Sequence, residues 1–455
     1  MNASPIDGFG GALIGDGDDG YDDARSIFNA MIDRRPALIA QCESVSDVQA
    51  ALAHAQANGL EIAIRSGGHS VAGASSVDGG LVIDMRRMNA VEVDPEARTA
   101  TVAGGATWSD FDRATQEHGL ATTGGRVSST GVAGLTLGGG SGWLEREWGL
   151  ACDDLLEVDI VAADGRVVTA NENENSELFW ALHGGSGNFG IATRLVFKLH
   201  PLVASTFAIL AWPSDVGPEL TRTYRDLIEA GAPTQLGGGV AYLTGPPEPF
   251  VPEHLHGKRL VGVIAVFAGT EAEMRDVLAP IYALEPQGGL TAEMPYAEIQ
   301  CAIDDPPGFR NYWSASHLAS FPDEALDLYC RQGEEMIVPS PSQHLLIPWG
   351  GGVSAQADDW PMTHRSATWV THPFGLWDDE DDDERGKAWT RRSVAELKPY
   401  DIGSVYLNFV ADLDDDQVRA SFGEENYRRL ATVKAEYDPD NVFNRHHAIK
   451  PLAPA

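Results

Sequence analysis

Val48, Ala51, Leu52 and Ala55 recur at helical spacing, and Ser46 with Gln49 around them has the form of a capping box, so this stretch predicts a helix that stops at Asn58-Gly59. Short apolar or alternating runs at 61–65, 81–85, 91–94 and 99–105 predict strands. Trp108, Phe111 and Ala114 then mark a helix ending near Gly119. Within 156–170, Asp164-Gly165 separates two β-branched runs and supplies the positive backbone angles of a tight turn, which predicts a hairpin. A strand over 191–199 closes this half of the chain at Pro201.

From about residue 206 the texture changes: glycine clusters thin out and strands alternate with helices, as in "TFAILAW", "RLVGVIAVFAG" and "EAEMRDVLAPIYAL". "GSVYLNFVADL" (403–413) and a helix running into "VKAEYDPDNVFNRHHAIKP" (433–451) form a closing unit, and no repeat of fixed period is present. The expected organisation is α+β, with units at 1–205 and 206–400 and a tail at 401–455; 455 residues exceed what one simple core accommodates.

Charge narrows the partners. Acidic residues number 67 against 32 basic, a formal charge of −35, so nucleic acid and anionic membrane surfaces are repelled. Lysine is scarce, its first occurrence being Lys198, while aspartate is plentiful, a balance resembling that of proteins from salt-loving organisms. The run Asp378–Glu384 reads as a solvated loop, with metal capture the lesser option. Cys42, Cys152, Cys301 and Cys330 show neither paired metal spacing nor disulfide density, and no basic leader or long apolar run is present; a cytoplasmic protein is expected.

Three glycine-rich stretches change the picture. "RSGGHS" (65–70) ends a strand in bare backbone N–H groups of the kind that suit a diphosphate, and its histidine is either a hydrogen-bonded structural residue or a ligand-binding one. "GGRVSSTGVAGLTLGGGSGWL" (124–144) and "LFWALHGGSGNFGIAT" (178–193) follow in the same half, which suggests an extended cofactor threaded between backbone segments. Neither has the strand, GxGxxG and helix arrangement of a nicotinamide site.

"RSGGHSVAGASSVDGGLVIDM" (65–85), "TGVAGLTLGGGSGWLEREWGLACDDLL" (130–156), "LFWALHGGSGNFGIAT", "YLNF" (406–409) and "YDPDNVF" (437–443) together span nearly the whole chain. In their order and spacing the sequence resembles the flavoproteins of the vanillyl-alcohol oxidase fold, in the branch of berberine bridge enzyme, carbohydrate oxidases and 6-hydroxy-D-nicotine oxidase. The resemblance implies a two-part FAD-binding domain and an α+β substrate domain with an antiparallel sheet. It implies FAD bonded through its 8α carbon to His69, with contacts from Arg65, Ser66, Gly67, Gly68, Ser70, Thr130, Gly131, Val132, Gly134, Gly138, Gly139, Gly142, Asn188, Gly190 and Ile191. The reaction implied is hydride removal from a small alcohol or amine to flavin N5, with Tyr406 as base or oxyanion partner and Asn408 holding it or the flavin. The other reading of Tyr406 is a core tyrosine in a strand; His364 and His372 are weaker candidates, expected to be structural.

The chain departs from the family at several positions. Val127 stands where some relatives have a second flavin-linking cysteine, so a single link is expected, and Cys152 reads as a packed thiol. Val71 replaces a tyrosine of sugar-oxidising members, which argues against a sugar lactol and for a more apolar pocket. His446 and His447 replace an amide pair at no metal-ligand spacing, so no metal is assigned. In some relatives the residue beside the reactive flavin carbon decides access of O2; the resemblance puts Thr130 there, a small side chain that leaves room for O2, and the expected reaction is that of an oxidase producing H2O2. A dehydrogenase with another acceptor and a flavin-holding protein without turnover are the rivals, and oligomeric state is left open.

Overall fold

The computed structural model describes residues 6–453. Helices are mixed with three main sheets, an α+β arrangement. A four-stranded sheet runs in the order Ala12–Gly15, Leu38–Gln41, Leu81–Asp84, Ile62–Arg65, and Leu81–Asp84 pairs in parallel with both its neighbours. All four residues of Leu81–Asp84 are buried, as a central parallel strand covered on both faces requires. A five-stranded antiparallel sheet follows, in the order Val91–Asp94, Thr99–Ala103, Ile191–Lys198, Leu155–Val161, Val167–Asn171. Its last two strands are the expected hairpin, turned at Gly165 with φ of 82°.

The helix near residue 50 runs over Val45–Ala57, but its cap is not the expected one. Ser44, two residues earlier, accepts from the Asp47 N–H, and the Asp47 carboxylate accepts from the N–H of Glu43 and Gly10. The Ser46/Gln49 pattern lies inside the helix, where it caps nothing.

The third sheet takes eight strands from Thr206 to Trp377, all its pairings antiparallel. Thr206–Pro213 shows why a nearly continuous apolar run forms a strand here. Ala208, Leu210 and Trp212 pack into a core with the helices behind the sheet, while Phe207 and Ile209 pack toward the first half of the chain. With side chains alternating between faces, both registers must be apolar. After Tyr400 the chain returns to the first half, where Val418, Phe422, Leu430, Val433 and Tyr437 of the closing helical segment join its core. The sheet therefore faces the glycine loops across one cavity. Among the described residues no helix is long and apolar enough to cross a membrane.

Candidate active site

The cavity measures about 320 Å³ and three sources build its wall. The first half contributes the loops around Ser66–Val71, Gly125–Ser141 and Ser186–Ala192; the sheet contributes Gly239, Ala241, Gln343, Leu345, His372 and Phe374; the tail contributes Leu407–Val410 and Phe443–His446.

His69 lies where the sequence places it, on the wall, its ring stacked on Phe28 at 4.1 Å. Its Nε2 is 2.9 Å from Ser129 Oγ. Burial lowers its pKa to about 4, so the ring is neutral at physiological pH. In the tautomer whose Nε2–H donates to Ser129 Oγ, the lone pair is on Nδ1. The loop bearing His69 is held tightly: a side chain at Gly67 would collide with Gly131 N and stand 2.8 Å from Ser129 O, and Gly68 has a φ of 76°.

Ser66, Gly67, Gly68, Ser70, Thr130, Gly131, Gly134, Asn188, Gly190 and Ile191 also reach the cavity wall. Other expected contacts do not. Arg65 is buried, and its guanidinium donates to the carbonyls of Ala24, Arg25 and Ser75, bracing the loop from behind. Val132 is a core residue of the first half. Gly138 lacks a side chain because Asn408 occupies that space, Gly139 because Tyr406 and Met362 do, and Gly142 because Gly124 O does. These glycines admit protein rather than ligand. Asn188 spends both ends of its amide inside the protein, donating to Gly185 O at 2.7 Å and accepting from Ile449 N–H at 3.0 Å.

Tyr406 stands apart from the other expected site residues. It is fully buried and off the cavity wall, and it precedes a short helical turn, Leu407–Phe409, rather than lying in a strand. Its hydroxyl accepts from the N–H groups of Gly140 at 2.9 Å and Ser141 at 3.0 Å and from Asn408 Nδ2 at 2.8 Å. Burial nonetheless pushes its pKa up to about 12, so the phenol keeps its proton at neutral pH. Asn408 lines the cavity and braces Tyr406, donating also to Leu135 O at 3.0 Å. The aromatic ring of this motif that faces the cavity is Phe409, which has no hydroxyl.

His372, expected to be structural, stands on the wall instead. Nδ1 lies 2.7 Å from the Ser314 carbonyl and must carry the proton, which leaves a lone pair on Nε2. The ring is stacked on Phe409 at 4.2 Å with 13° between planes, and burial brings its pKa to about 4. Alternation along Trp369–Trp377 was the available signal: His372 and Phe374 share one face, while Trp369 packs behind the sheet. His364 is buried beside Trp349 and Tyr406, as expected of a structural histidine. Cys152 is a buried thiol whose pKa burial drives up, and Val127 lines the cavity.

The wall suits an extended dinucleotide. The hydroxyls of Ser66, Ser75 and Ser186 are buried on it with no partner among the described residues, and Gly134 and Gly187 leave open space where side chains would stand. A polyoxyanion satisfies such donors, and Ile62, Ile64, Met85 and Phe443 offer an apolar seat for a flat ring.

A sheet-floored cavity with a glycine-loop cradle, three neutral imidazoles on its wall and orphaned hydroxyls fits a flavin-dependent oxidoreductase, and the comparisons with known proteins agree. Residues 36–171 match the FAD binding domain family and residues 405–450 the berberine and berberine-like family. The chain is 32% identical to the FAD-linked oxidoreductase pgmH of Aspergillus terreus over 95% of this chain and 91% of that one. It is 29% identical to (R)-6-hydroxynicotine oxidase of Paenarthrobacter nicotinovorans, with 97% of each chain covered. The crystal structure of 6-hydroxy-D-nicotine oxidase from Arthrobacter nicotinovorans superposes with a TM-score of 0.86 at 26% identity, covering 99% of this chain and 100% of the other. A structure of glucooligosaccharide oxidase from Acremonium strictum, described with a 6-S-cysteinyl, 8α-N1-histidyl FAD, shares the fold with a TM-score of 0.82 at 22% identity, covering 98% of each chain. The chain belongs to the berberine-bridge-enzyme-like FAD-linked oxidoreductases.

Proposed function

We propose that this protein oxidises a small alcohol or amine, with His372 as the group that takes the proton and O2 as the final acceptor. The observation that carries this reading is the fixed tautomer of His372. Its Nδ1–H is committed to Ser314, so Nε2 presents a lone pair to the cavity, and stacking on Phe409 holds the ring plane. A neutral imidazole so placed accepts the proton of a substrate O–H or N–H as the neighbouring carbon loses hydride. Bound FAD supplies the hydride acceptor. Thr130, a small residue on the wall, leaves access for O2, which would give H2O2. His69 is the proposed covalent anchor through Nδ1, which carries the nucleophilic lone pair in the tautomer whose Nε2–H donates to Ser129. Val127 supplies no second link.

The test is anaerobic bleaching of the yellow protein by a panel of alcohols and amines, in wild type and His372→Gln. Wild type should bleach with at least one compound and the variant should do so at least about a hundredfold more slowly, the usual scale of a lost general base. No bleaching by any compound refutes the oxidation and leaves a flavin-holding protein. Admitting air then separates the acceptors: an oxidase recovers its colour at once with a matching yield of peroxide, whereas a dehydrogenase does not.

A further inference from the structure

The cavity contains an acid for which the proposed oxidation has no use. Asp305 belongs to the connection between the short helix Tyr296–Ile299 and the strand Arg310–Trp313. Its neighbours Asp304, Pro306 and Pro307 are exposed, whereas Asp305 lines the cavity and its Oδ1 accepts from Gln343 Nε2 at 3.3 Å. The charge that acts on it is Asp304, of the same sign, and burial with that repulsion raises its pKa to about 7. The two arginines on the wall are already committed: Arg126 holds Glu145 at 2.6 Å, Ser141 Oγ at 2.9 Å and Gly142 O at 3.1 Å, and Arg445 holds Glu61 at 3.1 Å. The cavity thus has two compensated cations and an uncompensated acid. Aromatic faces stand beside that acid, since Phe374 opposes Gln343 across the strands and Trp313 opposes Phe374, their rings 4.2 Å apart.

We infer that Asp305 anchors a protonated nitrogen of the substrate, making the substrate an amino alcohol or polyamine whose cationic nitrogen is several bonds from the oxidised carbon. A carboxylate without a cation in a largely apolar site is costly, and an ammonium group with aromatic faces around it removes that cost. The separation comes from register. Gln343, which reaches Asp305, lies two residues along its strand from Leu345, which opposes His372, a step of about 7 Å. The inference rests on the proposed function only in taking His372 as the reacting end.

The test measures binding, so it stands or fails apart from turnover. Benzyltrimethylammonium has no N–H or O–H for a base to take, and neopentylbenzene is its uncharged counterpart. Both are titrated into the flavin-loaded protein, following tryptophan fluorescence. Wild type should bind the cation at least about tenfold more tightly than the neutral compound, Asp305→Asn should bring the two within about twofold, and Asp305→Glu should keep the preference. Equal affinities in wild type, or an undiminished preference in Asp305→Asn, overturn the inference. Should the variants fail to fold, the wild type decides: its affinity for the cation should fall as pH drops from about 8.5 to about 5.5, because Asp305 takes up a proton near 7. Among the other imidazoles on the wall, His69 and His372 at about 4 and His446 at about 3 stay neutral over that range. An affinity that is flat over the range overturns the inference.

Discussion

Replacing Tyr406 by phenylalanine removes one oxygen and keeps the ring, so its effect isolates what that oxygen does. Three N–H groups point at it. Asn408 Nδ2 keeps a second acceptor, Leu135 O at 3.0 Å, whereas the peptide N–H groups of Gly140 and Ser141 have no other hydrogen bond among the described residues. Each buried donor left unpaired costs about 1–3 kcal/mol, so the variant should lose roughly 2–6 kcal/mol of stability. Urea unfolding of the flavin-loaded protein measures the loss, and amide exchange at Gly140 and Ser141 should quicken before that of neighbouring strands. The dependence of kcat/KM on pH should keep the shape it has in wild type, because proton abstraction is assigned to His372. A Tyr406→Phe protein within about 0.5 kcal/mol of wild type would refute the hydrogen-bonding account. One of normal stability that had lost turnover and its pH limb would return the tyrosine to catalysis.

His69→Ala should release its flavin on acid precipitation while wild type retains it, a difference visible in the supernatant spectrum; wild type that releases flavin would end the case for the tether. In wild type, kcat/KM should rise with pH through about 4, as His372 in the free enzyme becomes able to accept a proton, and His372→Gln should lack that limb. Lys434→Met should cost about 3–5 kcal/mol, because Lys434 is fully buried against Asp438 at 2.5 Å and also donates to Asn188 O and Phe443 O at 2.7 Å; Lys434→Met with Asp438→Asn should recover part of the loss. Acid should destabilise the fold through its buried histidines. His183, His317 and His344 have folded pKa values of about 3 against 6.5 in the unfolded chain, so the unfolded state binds more protons between those values, and stability present above 6.5 is lost progressively as pH falls toward 3. Unfolding midpoints measured from pH 7 down to pH 4 give the sign directly.

The cradle was legible because its signal is local. Consecutive glycines at Gly67 and Gly68 report a close approach and a left-handed angle, and both are realised in one loop. The same logic misplaced Gly138 and Gly139, since a missing Cβ reveals that something comes near but not whether it is ligand or protein. Tyr406 and Phe409 exchanged places for a different reason. A strand reading aims alternate residues at one face, but the chain turns helically at Leu407–Phe409, so Tyr406 is sealed in while Asn408 and Phe409 face the cavity. Asp305 was out of reach because its surroundings are assembled from Gln343 and the sheet, distant in sequence. For His372 the strand alternation was present in the sequence, yet which face would meet the glycine loops depended on how two halves of the chain pack.

The opposing halves of the cavity also differ in how freely they can vary. The flavin cradle is main chain wedged against main chain, where even a methyl group at Gly67 has nowhere to go. Its floor is a row of alternate side chains projecting from strands whose backbone pairing is indifferent to what they are. Exchanging His372, Phe374 or Gln343 would redraw the chamber and leave the grip on the coenzyme untouched, so new chemistries can arise on this scaffold by altering a few floor tiles.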